Sequence, residues 1–151
     1  GGSNPCAAYI DLERVDLLRL VIDQTLYWYI ASSEEEAIFI TGMINSSALN
    51  DAIKDFQPDG GFGKRHIHTL PYKVIPRFNK EDPAHELVVE KTKNLIDEWV
   101  SFCKGSKDGA YIEPDRGTLN SRRKKLQAIL RNMSSYDEYE KACNIVMGIE
   151  E

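Results

Sequence analysis

The stretch Gly60-Gly61-Phe62-Gly63-Lys64-Arg65-His66-Ile67-His68 combines three glycines, one aromatic ring, two adjacent cations and two imidazoles, with no acid. Four chemistries are open to such a set: a metal site, a phosphate-binding loop, a nucleic-acid contact, or a turn leading into a strand. His66 and His68 are two apart, so on a strand they face the same way. His85 or a cysteine could complete a zinc site with them. Structural zinc sites, however, show paired ligand spacings, and no paired cysteine lies nearby, so no metal is assigned. A Walker loop needs Ser or Thr after its Gly-Lys and a helix behind it. Here residue 65 is Arg and a strand-like stretch follows. A dinucleotide fingerprint fails too, because His66 occupies the third glycine position.

A smaller-scale chemistry survives. Glycines let a backbone approach a sugar–phosphate chain. Lys64 and Arg65 neutralise phosphates, and an arginine fork can read a guanine edge. Phe62 can stack on a base or wedge beside one. The bland alternative is a flexible glycine turn with solvated cations.

Charge distribution favours an anionic partner. The chain has 151 residues and a net charge of −5. Residues 60–80 carry Lys64, Arg65, Lys73, Arg77 and Lys80 without an acid, a block of +5. Residues 116–131 carry Arg116, Arg122, Arg123, Lys124, Lys125 and Arg131, a block of +6. The remainder therefore holds −16, since −5 − 5 − 6 = −16. Fields screened over roughly 8 Å act locally, so two basic islands on an acidic body suit contact with an anion at defined places. The run Arg122–Lys125 covers a full helical turn and cannot all face one way, which is the pattern of a solvated helix surface. Arg122 alone falls on the stripe of Leu119 and Leu126.

No catalytic set emerges. Ser46 and Ser47 lack a nucleophile-elbow context. No Asp/Glu pair has an apolar setting that would tune one partner. Cys6, Cys103 and Cys143 are far apart and odd in number, so they read as reduced thiols of a cytoplasmic protein. No apolar run approaches the ~20 residues of a membrane helix. The first residues lack the cationic start and apolar run of a secretion signal, and no initiator Met is present, as in a trimmed chain.

These residues need elements to place them. Leu17–Ser32 is rich in β-branched and aromatic residues and reads as one long strand or a hairpin. Ser33 followed by Glu36 matches a capping box, opening a helix whose body, Ala37–Ile44, is apolar nearly all round. A short helix follows, with Leu49, Ala52, Ile53 and Phe56 on one face, stopped by Pro58-Asp59-Gly60-Gly61. Thr69–Pro83 contains Pro71 and Pro76 and reads as an edge strand or extended linker. Asp82-Pro83 starts a long amphipathic helix through Lys104, with Val88, Leu95, Ile96, Trp99 and Phe102 at helical spacing. Two more helices are predicted, from about Leu119 to Met133 and from Ser135, where Glu138 again suggests a capping box.

The order of these segments resembles a known family. "WYIASSEEEAIFITGMINSSALNDAIKDF" is similar to a segment near the end of restriction-modification DNA adenine N6-methyltransferases, in which an aromatic-rich strand leads into a helix ending in a Leu/Ile-Asn-Ser turn. "GGFGKRHIHTLPYKVIPRFNKEDPAHEL" resembles the glycine/basic loop and the Ile-Pro-x-Phe exit segment that follow. Target-recognition domains of type I specificity subunits close in a similar way, with a proline-containing strand before a long spacer helix. The similarity covers roughly residues 17–104 and rests on order and spacing. It implies a target-recognition module for double-stranded DNA. The cofactor loop and catalytic tetrapeptide of the whole enzyme are missing. Methyl transfer from S-adenosylmethionine is thus expected of a linked or partner domain, with no cofactor in this chain.

The expected fold is α+β: a small mixed sheet with packed helices over residues 1–80, then a helical arm of two to three helices over 81–151. The expected function is DNA recognition in a restriction-modification or methyltransferase system. Phe62, Lys64, Arg65, His66 and His68 would make the contacts, and Lys73 and Arg77 would hold the DNA backbone. Partners would be double-stranded DNA and a methyltransferase or restriction subunit, with a homodimer through the arm also open and no membrane. The rivals are a protein-interaction module using Trp99 and Phe102, and an enzyme whose site is not recognisable.

Overall fold

The computed structural model describes residues 6–14, 21–22, 27–54, 74–105 and 118–149. Five helices are present among them: α1 (Glu34–Asn45), α2 (Ser47–Lys54), α3 (Pro83–Gly105), α4 (Leu119–Leu130) and α5 (Tyr136–Met147). None of the described residues forms a strand, which overturns the expected mixed sheet. The two described stretches read as strands show why. Tyr27, Trp28, Tyr29 and Ile30 are all exposed, with no described chain beside them to complete a ladder. Residues 76–79 send a backbone hydrogen bond to an imidazole instead of a neighbouring strand. Strand propensity expresses fit to a paired, half-buried surface, and without that surface it selects nothing.

α1 begins as its capping signal requires. The Ser33 hydroxyl accepts the Glu36 N–H at 3.1 Å. The Glu36 carboxylate reaches one residue further back than in a standard box and takes the N–H and hydroxyl of Ser32, both at 2.6 Å. Ile38, Phe39 and Met43 are fully buried. One residue, Ser46, separates α1 from α2. Its hydroxyl donates to the Met43 carbonyl at 2.8 Å and accepts the Leu49 N–H at 3.2 Å, so it closes one helix and opens the next. Asn45 stands beside it and holds the N-terminal segment with two amide bonds, to the N–H of Ala7 at 3.0 Å and its carbonyl at 2.8 Å.

α3 packs along α1 and α5, and α2 closes the core against α1 and α5. Val88, Val89 and Leu95 from α3 meet Ile38, Phe39 and Met43 from α1, Ala48 from α2, and Tyr139, Ala142 and Cys143 from α5. The core therefore draws on both sides of residue 80. Leu130 at the end of α4 and Met133 just beyond it lie against the core.

α1 and α3 approach each other closely at Gly42. A Cβ built there would sit 2.3 Å from Thr92 Oγ1 of α3, well inside contact distance. α1 ends so soon after Gly42 that its carbonyl loses the usual partner, because the Ser46 N–H turns to Met43. The Tyr139 hydroxyl of α5 takes up that carbonyl at 2.6 Å. Three helices thus meet on one residue without a side chain. Gly42→Ala is expected to destabilise the fold by roughly 1–3 kcal/mol, the scale of overpacking a dense core. Adding Thr92→Ala should recover part of that loss, and urea denaturation of the four members of this cycle checks the coupling.

Two helix starts are capped from other helices. Glu140 of α5 accepts the Ser47 N–H at 3.0 Å and the Ser47 hydroxyl at 3.1 Å, at the first residue of α2. Glu98 of α3 accepts the N–H groups of Ser134 at 2.8 Å and Ser135 at 3.0 Å, at the entry to α5. The predicted Ser135–Glu138 box does not form, since Ser135 makes no cap to its own helix. Glu138 pairs instead with Lys91 of α3 at 2.8 Å. These contacts run α3 and α5 antiparallel. At its other end α5 finishes on Gly148 with φ +65°, a left-handed position that suits glycine, and the Ile149 N–H closes back on Asn144 at 3.0 Å.

Hydrogen bonds from the Ser135 hydroxyl and then from the Ser134 and Ser135 amides hold the Glu98 carboxyl well down, at about 2. A lowered folded-state pKa means stability that is complete above the ordinary value of 4.5 and is lost as pH falls toward 2. Thermal melts between pH 7 and pH 3 should therefore fall more steeply for the wild type than for Glu98→Gln, whose side chain does not titrate.

Candidate nucleic-acid interface

Of the seven side chains expected to contact DNA, Arg77 lies among the described residues, and it is exposed. Phe62, Lys64, Arg65, His66, His68 and Lys73 lie outside the described residues. In the second basic island, α4 forms as predicted over Leu119–Leu130, with the Thr118 hydroxyl capping the Ser121 N–H at 3.3 Å. Lys125 is exposed on it, while the side chains of Arg122, Arg123 and Lys124 lie outside the described ones.

The last part of the first island is fixed by a compact dock. Phe78, half-buried, puts its ring 5.3 Å from that of Phe39 in α1 and 6.2 Å from the His85 imidazole of α3. Phe39 and His85 are themselves 4.6 Å apart. His85 is only 6% exposed. Its Nδ1 accepts the N–H of Asn79 at 3.0 Å, which places the ring proton on Nε2, 3.8 Å from Asp82 Oδ2.

The chain then turns tightly into α3. Asn79 Oδ1 accepts the Glu81 N–H at 3.1 Å, and its carbonyl accepts the Asp82 N–H at 3.1 Å. Asp82 caps the helix as the sequence predicts, accepting the Ala84 N–H at 2.9 Å, with Pro83 at the first helical position. Arg77 and Lys80, on either side of Phe78 and Asn79, both remain exposed. Beyond hydrogen bonds from its own backbone N–H and from Ser33, Glu35 of α1 has Lys80 close enough to help hold its carboxyl below the ordinary value. A pinned backbone with exposed cations on it is chemically suited to phosphate contact, where position and charge matter more than reactivity.

Among the described residues no cluster of three or more His, Cys, Asp or Glu could hold a metal. His85 spends one ring nitrogen on a backbone amide. Burial, with Glu140 nearby, pushes the Cys143 thiol up to about 12, which makes it an inert core group. Among the described residues no helix is long and apolar enough to cross a membrane.

Sequence reasoning weighed His85 only as a spare zinc ligand and did not identify its amide acceptor role. The Asn79/His85 spacing of six residues spans a turn and a helix start and belongs to no regular period. Glu98 and Glu140 were missed for a related reason, since their partners are 36 to 93 residues away. Comparisons with protein-family models, with curated proteins and with solved structures give no match.

Proposed function

We propose that this chain is the DNA-recognition, or specificity, module of a restriction-modification or DNA-methyltransferase system, non-catalytic on its own. The observation that carries this reading is the acid-free block of five cations in residues 60–80 of a chain whose net charge is −5. The family resemblance of residues 17–104 supports it, as does the dock that pins the end of the block while Arg77 and Lys80 stay exposed. Phe62, Lys64, Arg65, His66 and His68 are the proposed contacts to the duplex, with Lys73 and Arg77 on its backbone. S-adenosylmethionine and the methyl-transfer step belong to a linked or partner domain. The setting is cytoplasmic, in keeping with three cysteines that are odd in number and far apart in the sequence.

Fluorescence anisotropy against random duplex DNA at two salt concentrations tests the proposal. Affinity should fall steeply with salt. Replacing Lys64 and Arg65 with Ala should flatten the salt slope by up to ~2 units, about one per lost phosphate contact. An unchanged slope would move the contact to the other basic island or remove it.

One observation favours a second reading, a protein contact through the C-terminal half of α3. The apolar stripe of that helix is buried at Val88 and Leu95, but Val100 and Phe102 are each 38% exposed. Trp99 and Phe102 form a stacked pair with centroids 5.8 Å apart. A self-association through this face predicts a concentration-dependent dimer in analytical ultracentrifugation. Phe102→Ala should then sediment as a monomer with unchanged circular dichroism. A wild type that stays monomeric at high micromolar concentration would sink the dimer.

A further inference from the structure

His85 is the first residue of α3 whose side chain enters the core, and it is the only buried imidazole among the described residues. Its ring does two separable things. It fills the space between Phe39 and Phe78, and its Nδ1 accepts the Asn79 N–H. The first task needs only an aromatic ring. The second needs a nitrogen or oxygen at that one place. We propose that His85 is a positioning residue for phosphate contact: its Nδ1 latches the backbone at Asn79, so that Arg77 and Lys80 are held at a fixed spacing toward a nucleic-acid backbone. This rests on the DNA-recognition reading above.

The argument runs through the neighbouring bonds. Residues 76–79 have no ladder to hold them, so their backbone must be fixed by other means. Phe78 anchors one side chain in the dock, and the Asn79 turn sets the entry to α3. Neither fixes the peptide between Phe78 and Asn79. The Asn79 N–H belongs to that peptide, and the His85 bond stops it from rotating. The two cations flank it at positions 77 and 80. Without the latch each cation would lose conformational freedom on binding that the wild type has already given up. His85 touches no phosphate itself and acts only by fixing the residues that do.

Two variants of the full chain separate the tasks. His85→Phe keeps the ring and removes the acceptor. His85→Asn restores an acceptor, because its Oδ1 occupies nearly the place of Nδ1. Amide exchange followed by nitrogen-15 NMR should show Asn79 protected in the wild type and at least about tenfold faster in His85→Phe. Duplex DNA binding at low salt should weaken roughly tenfold in His85→Phe, the scale of the ordering cost of one long side chain, and His85→Asn should recover most of both. The wild-type imidazole should show the nitrogen shifts of an Nε2-protonated ring.

An unprotected Asn79 amide in the wild type would overturn the latch. So would a His85→Asn variant that behaves like His85→Phe, because the role would then be packing alone. If His85→Phe releases the amide but binds DNA as the wild type does, the latch has no part in phosphate contact. If the wild type binds no duplex at either salt, the DNA reading fails and takes the phosphate claim with it. The amide exchange would still decide whether His85 holds the backbone.

Discussion

The close approach at Gly42 is the contact on which the other helix placements depend. With Thr92 in place α1 and α3 leave no room there for a Cβ, since one would fall 2.3 Å from Thr92 Oγ1. That closeness lets Phe39 reach His85 and Phe78, three residues earlier on the same helix. It also places the freed Gly42 carbonyl where Tyr139 can donate to it, and so fixes α5 against both. A longer α1 would have satisfied that carbonyl within itself and removed the reason for Tyr139 to dock.

Polar groups organise the surface of this core more than ion pairs do. Glu98 and Glu140 each spend their carboxylate oxygens on N–H and hydroxyl groups at the start of another helix. Tyr136 adds its hydroxyl to Glu140 at 2.7 Å. Such bonds satisfy the orphan donors of a helix end while placing negative charge at its positive pole. Salt screens them less than it screens exposed Lys–Glu pairs. Thr92 Oγ1 is the counter-example, buried with no hydrogen-bond partner, and close packing against Gly42 is what it has in exchange.

Much of the helical part was legible in the sequence, because its signals are local. Ser33 with Glu36, and Asp82 with Pro83, begin helices where their spacing says they should. Ile38, Phe39 and Met43 of α1, from a segment apolar nearly all round, are buried, and so are Val88 and Leu95 of the α3 stripe. The sheet was misread at Tyr27–Ile30, where composition suggested a strand, and composition carries no information about a pairing partner. Of the two readings offered for Thr69–Pro83, edge strand or extended linker, the described residues 74–83 form no strand. α5 starts at Ser135 as expected, but its capping box does not form, for a similar reason. Ser135 and Glu138 have the spacing of a capping box, but stronger partners, Glu98 and Lys91, come from a different helix. Of the candidate site, the sequence showed the cations, while Phe78 figured only as the end of the Ile-Pro-x-Phe segment. The role of His85 could not be read there, because an imidazole and an amide six residues apart meet only once a turn is known.

The two carboxylate caps also bear on the order of events in folding. The bond from Ser47 to Glu140 closes a loop of 93 residues, and that from Ser134 to Glu98 one of 36. Loop closure carries an entropic cost that must be met before the contact can reward it. α2 has eight residues, too few to persist alone in water. Ser46 caps its start locally, as Ser33 and Asp82 do for α1 and α3, but the Glu140 bonds at Ser47 come from near the far end of the chain. The full set of bonds at the start of α2 is therefore completed only when α5 has docked. In kinetic terms α2 should respond to substitution through the unfolding rate more than the refolding rate.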